Sequence, residues 1–199
     1  MILIGASGHA KVISDILRLS NIIVSSYYDD KDLKFFNSIR VYTPIETIPE
    51  NSNSIIAIGL NIIRKRIVVS LPQLNYKTAI HPKSVLDKTV LIGLGSVVMA
   101  SVTINNTTSI GAHCIINTSS SIDHDCILGD FVHISPGAIL CGNVTISEGT
   151  HIGAGAVVCP NLKIGKWATI GAGAVIITNI PDYAVVVGNP GKIIKYNEK

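Results

Sequence analysis

The sequence predicts an α/β domain of Rossmann-like type over residues 1–78, followed by a parallel β-helix of hexapeptide repeats over residues 79–199. Three observations carry that expectation. Over the first 80 residues, short apolar runs alternate with segments of helical spacing, the pattern of a small parallel sheet covered by helices. From Ile92 onward an aliphatic residue recurs every six positions, a period that suits neither a helix nor a simple alternating strand. Between the two, "YKTAIHPKSVL" ends the first pattern, with Pro82 interrupting regular structure before the repeat takes over.

In the first part, "MILIG" reads as a short buried strand and "HAKVISDILRLS" as an amphipathic helix. A second strand is expected in "IIVSSYY", a third in "SIIAIG", and a second helix in "NIIRKRIVVSL". In the second part, steps of six from Ile92 reach Val98, Ile104, Ile110, Ile116, Ile122, Leu128, Ile134, Leu140, Ile146, Ile152, Val158, Ile164, Ile170 and Ile176 without a break. The residue after each is often Gly, Asn, Asp or Ser, types that tolerate tight turns. Each hexad is therefore one short strand plus one turn, and three hexads close a triangular coil of 18 residues. The aliphatic residue of each strand points into the prism and stacks on its counterpart one coil later.

With 47% hydrophobic and 15% charged residues, the chain has enough apolar material for a buried core. Its formal charge of +3 comes from scattered lysines and arginines, so nucleic acid is not the first expectation and a phosphate-bearing small molecule is at least as natural a partner. The start lacks a basic region and a long apolar run, and no apolar window of about 18 residues suggests a membrane span, so a cytoplasmic location is expected. The four cysteines, 114, 126, 141 and 159, have no CxxC spacing and are expected as reduced, packed thiols. No Cys or carboxylate cluster accompanies the histidines of the repeat, so no metal is expected.

Two places carry chemistry. "GASGHAK" follows the first strand and opens the first helix, where backbone N–H groups and a helix N-terminus face an anion. Gly5 and Gly8 do not complete the three-glycine dinucleotide fingerprint, because position 10 is Ala10 and the acidic landmark is the doublet Asp29 and Asp30. The second place is "SIDHDCILGDFVHI". His124 stands two residues past Ile122, at a turn, so its side chain projects from the prism, and Asp125 is able to bond one ring nitrogen and raise the basicity of the other. His133 precedes Ile134; His151 lies one coil beyond His133 as its stacked neighbour, and His113 has no adjacent carboxylate.

Five segments in order, "IGASGHAKVI", "YYDDKDLKFF", "IAIGLNIIRKRI", "NTSSSIDHDCILGDFVHISPGA" and "VVVGNPGKII", resemble the PglD/NeuD-type sugar acetyltransferases over nearly the whole chain. The resemblance implies a nucleotide-sugar-binding α/β domain joined to a left-handed parallel β-helix, with acetyl-CoA as donor. At the position of His124 it implies the base that removes a proton from the attacking amine or hydroxyl, polarised by its acidic neighbour. That neighbour is often glutamate, whereas this chain has Asp125, one methylene shorter. It also implies that the histidine matching His133 helps place the acetyl carbonyl, and that CoA lies in a groove between adjacent β-helices of a homotrimer.

The reading that follows is an acetyl-CoA-dependent N-acetyltransferase acting on a UDP-, GDP- or dTDP-linked 4-amino sugar. Direct attack is expected, since the sequence shows no cysteine or serine paired with a base. Gly5, Gly8, His9, Asp29, Asp30, Asn61 and Arg64 are the expected substrate contacts, beyond the strand ends of the α/β domain. His124 and Asp125 are the expected catalytic pair, and a backbone N–H near Gly142, one coil above His124, is the expected oxyanion donor. Besides His133 and Gly142, the basic residues Lys163, Lys166, Lys192 and Lys195 are the expected acetyl-CoA contacts. The competing readings are an O-acetyltransferase of a sialic acid or related hydroxyl, and a non-catalytic nucleotide-sugar-binding scaffold.

Overall fold

The computed structural model describes residues 1–31 and 33–198. Its α/β part is built on β1 (Ile2–Ile4), which pairs in parallel with β2 (Ser26–Tyr28) on one side and β5 (Asn53–Ile56) on the other. With β3 (Phe35–Phe36), β4 (Ile39–Tyr42) and β6 (Asn75–Tyr76) the sheet order is β3-β4-β2-β1-β5-β6, and only β3 runs antiparallel to its neighbour. Helix α1 (Gly8–Leu19) buries Ala10, Ile13, Ile16 and Leu17 along one stripe, and α2 (Asn61–Ser70) follows β5.

Two features differ from the sequence expectation. The second strand covers only residues 26–28, because the chain before it finishes α1: Asn21 is left-handed (φ 58), its N–H donates to the Arg18 carbonyl, and the Ile22 N–H donates to the Leu17 carbonyl. That double bond pattern is a helix-terminating motif, and it leaves Ile23 exposed. The β3–β4 hairpin was not foreseen; it turns on Asn37 and Ser38, both at positive φ (47 and 62).

From β7 (Ala79–Ile80) the chain winds as a triangular β-helix whose strands fall into three stacked sheets of eight, six and five strands. Here they are the first, second and third faces. Register is 18 residues throughout the repeat, as in Ile116 against Ile134 and Ile122 against Leu140. Val98 and the thirteen aliphatic steps after it are all buried in one continuous core, while Ile92 at the open end is partly buried. The eight-stranded face ends with Ala184–Val187 paired to the antiparallel strand Lys192–Tyr196.

The outward row of the first face explains how the two parts dock. Ala79, Val97 and Ile115 point out of the prism and share one core cluster with Leu3, Ile13, Leu17 and Ile55 of the α/β part. In the next two coils the row continues as His133 and His151, so the histidines stand at the edge of the apolar contact.

Candidate active site

His124 and Asp125 occupy the turn between Ser121–Ile122 on the second face and Ile127–Leu128 on the third. Both are half-exposed, and His124 Nδ1 lies 2.7 Å from Asp125 Oδ2, so the shorter aspartate does reach the ring. With Nδ1 donating to the carboxylate, Nε2 is the free acceptor. The hydrogen bond to Asp125, then the charge of Asp123, raises the His124 pKa above its ordinary value. The turn is braced from the coil before: Asn105 donates to Asp123 Oδ1 (2.7 Å), the Thr107 hydroxyl to Asp125 Oδ1 (2.8 Å), and the Thr108 hydroxyl to the Asp123 carbonyl (2.8 Å).

The coil after leaves room. Gly142 sits against the imidazole, and its N–H donates no hydrogen bond among the described residues. One coil earlier the corresponding N–H, that of His124, is capped by Asp123 Oδ1 at 2.9 Å; Cys141 replaces that carboxylate, which frees the Gly142 donor.

The remaining histidines are elsewhere. His133 stacks on His151 with ring centroids 4.8 Å apart, and its Nε2 lies 3.2 Å from Asn117 Nδ2. Burial, then His151, Arg64 and His9, press its pKa down to about 3, with the Gly59 carbonyl opposing. Burial, then Arg64, also brings His9 to about 4, and His9 Nε2 has no partner among the described residues. His113 is buried, edge-on to Tyr76 and stacked on Phe131, with its pKa held at about 4 by burial first. Because His124 is at the corner between the second and third faces and His133 on the first, one chain holds them on opposite sides of the prism.

The sequence also missed a serine paired with a histidine: Ser135 Oγ is 2.7 Å from His151 Nε2. Ser135 is buried and the contact repeats the Asn117–His133 contact one coil later, so it reads as a packing rung.

His133, His151, Ser7, Gly59, Asn61 and Trp167 are among the residues lining a cleft of about 740 Å³ between the α/β part and the first face. Gly5 has φ 105 and a Cβ there would meet Ile58 Cγ1 at 2.8 Å, so this turn needs glycine. Gly8, in contrast, faces open space at the α1 N-terminus, where Ser7 makes no side-chain cap. Asp29 is a brace: its two oxygens accept from the N–H groups of Ala6 (2.7 Å) and Lys31 (2.9 Å), while Asp30 accepts from Ile45 N–H (3.1 Å).

Asn61 and Arg64 tie the two parts together. Asn61 donates to the Gly149 carbonyl (3.0 Å), and the guanidinium of Arg64, 1% exposed, donates to the carbonyls of His113, Ile58, Gly59 and Phe131. Arg64 thus faces inward and does not line the substrate crevice expected from the sequence. Of the lysines, Lys163 is exposed on the third face, Lys166 lies at the following corner, and Lys192 and Lys195 are exposed on the terminal strand. A second groove, about 810 Å³, runs along α1 past Lys11, Arg18 and Ile23, and none of the expected site residues lines it.

Residues 1–71 match the family model described as the PglD N-terminal domain, and residues 143–178 the bacterial transferase hexapeptide model of six repeats. The chain is similar to a histidine-to-asparagine variant of perosamine N-acetyltransferase from Caulobacter crescentus, solved with CoA and GDP-perosamine: TM-score 0.93, 32% identity, 98% of this chain and 96% of that one. It is similar also to the acetyltransferase domain of PglB from Neisseria gonorrhoeae in complex with acetyl coenzyme A, with TM-score 0.89, 34% identity, and coverage of 97% and 98%. A curated relative, UDP-N-acetylbacillosamine N-acetyltransferase of Bacillus subtilis, is 38% identical over 108 residues, 49% of this chain and 50% of that protein. The match spans half the length of that relative.

Proposed function

Because this chain belongs to the family of PglD-type sugar acetyltransferases, we propose that it transfers the acetyl group of acetyl-CoA to the 4-amino group of a nucleotide-activated sugar, with His124 as general base. The observation that carries the mechanism is the His124–Asp125 contact on an exposed turn, with Nε2 and, one coil away, the Gly142 N–H both without a partner among the described residues.

In this reading Nε2 takes a proton from the amine as its nitrogen attacks the thioester carbon. The carbonyl oxygen becomes an oxyanion that the Gly142 N–H receives. Collapse breaks the carbon–sulfur bond, and the imidazolium returns its proton to the departing thiolate, so His124 ends as it began.

The nucleotide phosphates are assigned to the open α1 N-terminus beside Gly8, where uncapped N–H groups and the helix dipole favour an anion. Asp29 shapes that loop from behind, Asn61 lines the cleft, and Arg64 holds the cleft walls together. His9 and His133, both kept neutral by burial, are suited to hydrogen-bonding substrate without carrying charge. Since His124 and His133 lie on opposite sides of one prism, the complete site is proposed to form where the His124 corner of one chain meets the first-face cleft of a neighbour in a trimer. Lys163, Lys166, Lys192 and Lys195 are the candidates for the phosphates of CoA in that groove.

The test is thiol release from acetyl-CoA with UDP-, GDP- and dTDP-linked 4-amino sugars beside hydroxyl acceptors such as sialic acid. Turnover confined to amino sugars is expected. Preference for a hydroxyl acceptor would favour the O-acetyl reading, and no turnover with any acceptor the scaffold reading.

A further inference from the structure

The four residues at one position of the His124 corner, Thr107, Asp125, Asn143 and Asn161, are all left-handed, with φ of 56, 60, 57 and 63. Asp and Asn tolerate that conformation, since their short side chains bond locally. A β-branched residue does not, and Thr107 is the outlier of this column. Strain of this kind persists where the surrounding structure imposes it, and the side chain that endures it here makes one specific contact: its hydroxyl donates to Asp125 Oδ1 at 2.8 Å. The other carboxylate oxygen of Asp125 faces His124 Nδ1.

We propose that Thr107 is a positioning residue for His124, acting through Asp125: by occupying Oδ1, its hydroxyl turns Oδ2 toward the imidazole and fixes both the tautomer and the direction of Nε2. This rests on the reading of His124 as the base, and it extends the site by one coil. Asp125 is half-exposed and two rotatable bonds from the backbone, so without a second anchor its carboxylate has other rotamers and solvent to choose from. The Thr107 N–H is itself held by the Thr89 hydroxyl at 2.8 Å, and that hydroxyl donates to Asp87 Oδ1, so a hydrogen-bonded column runs from Asp87 up to His124.

The charged groups acting on His124 are Asp125 and Asp123, both on its own turn. The preceding turn, residues 105 to 108, contributes only amides and hydroxyls, and the following one, 141 to 144, contributes Cys141, Gly142, Asn143 and Val144. Asp125 is held in its charged form first by His124 and next by Thr107, in agreement with a shared carboxylate.

The experiment follows the imidazole directly, by histidine-selective NMR titration of the full chain, with the His124 signal assigned by its loss in His124→Ala. Thr107→Ala removes the hydroxyl and relieves the β-branched strain; Thr107→Ser keeps the hydroxyl. The His124 pKa should fall by roughly half a unit or more in Thr107→Ala and return to the wild-type value in Thr107→Ser. The alkaline-rising limb of kcat should move the same way, with KM for both substrates unchanged. An unshifted His124 titration in Thr107→Ala would overturn the proposal, as would an equal shift in both variants. If His124→Ala kept full turnover, the base assignment would fall, while the titration would still decide whether Thr107 orients the ring.

Discussion

Gly142 lies directly against the imidazole of His124: a Cβ built on it would stand 2.7 Å from both Cε1 and Nε2. The surroundings of His124 are therefore built across three successive coils, with Asn105, Thr107 and Thr108 below, Asp123 and Asp125 on its own turn, and a glycine above. Gly142→Ala should push the half-exposed ring off its position without disturbing the prism. Turnover is expected to fall by roughly 10 to 10²-fold, with the melting temperature almost unchanged, because misplacement of a reacting group by about 1 Å is enough for a loss of that size. Steady-state kinetics beside a thermal melt checks it; a large drop in melting temperature would show that glycine serves the backbone and not the ring.

Arg64 is the opposite case, a residue of stability. Its guanidinium satisfies carbonyls from the β5–α2 loop and from two successive turns that lead into the first face, and Arg64→Met leaves them buried without donors. A loss of about 3 kcal/mol is expected, seen as a fall in melting temperature of roughly 6 to 12 °C. A variant melting at the wild-type temperature would mean that water replaces the side chain in full.

Stability should depend on pH through the buried histidines. His9 and His113 have pKa values near 4 and His133 near 3, all depressed by burial first, against about 6.5 in the unfolded chain. Above pH 6.5 neither state binds these protons and their contribution is fully present. As pH falls below about 6.5 the unfolded chain takes up protons that the folded one refuses, so stability declines until pH reaches the folded values. The melting temperature should drop steadily between pH 7 and pH 5 and recover on return; a flat profile there would show the rings to be solvated.

For the proposed base, His124, the sign reverses. His124 must be neutral to accept a proton, and Asp125, then Asp123, raise its pKa. The rising limb of kcat should therefore lie above the ordinary histidine value of about 6.5 and move down in Asp125→Asn. A limb below that value in the wild type would point to another base.

Much of this was legible in the sequence. The hexad from Ile92 to Ile176 is a physical necessity of a narrow core, where any polar step would be buried unpaired, so it survives in the residues themselves. His124 was visible for the complementary reason: a turn residue of a prism has to point outward. What was hidden depends on contacts between distant segments. Asn61 and Arg64 look like any polar residues at the start of a helix, and nothing in "NIIRKRI" says that they reach carbonyls of residues 113, 131 and 149. The separation of His124 from His133 by the width of the prism is likewise invisible in a nine-residue spacing until the faces are counted.

The exposed apolar side chains on the second and third faces, Val85, Leu91, Ile127 and Ile139, offer a surface for self-association. A trimer in light scattering is expected, and a stable, fully active monomer would remove the shared site.

Whether His124 abstracts the amine proton during acetyl transfer is decided by thiol release from acetyl-CoA, compared between wild type and His124→Ala with a nucleotide-linked 4-amino sugar as acceptor. Turnover should fall by roughly 10² to 10⁴ in the variant, while acetyl-CoA affinity and melting temperature hold, because the side chain projects from the prism and packs against nothing in its core. Near-normal turnover with the same pH limb would show that another group takes the proton.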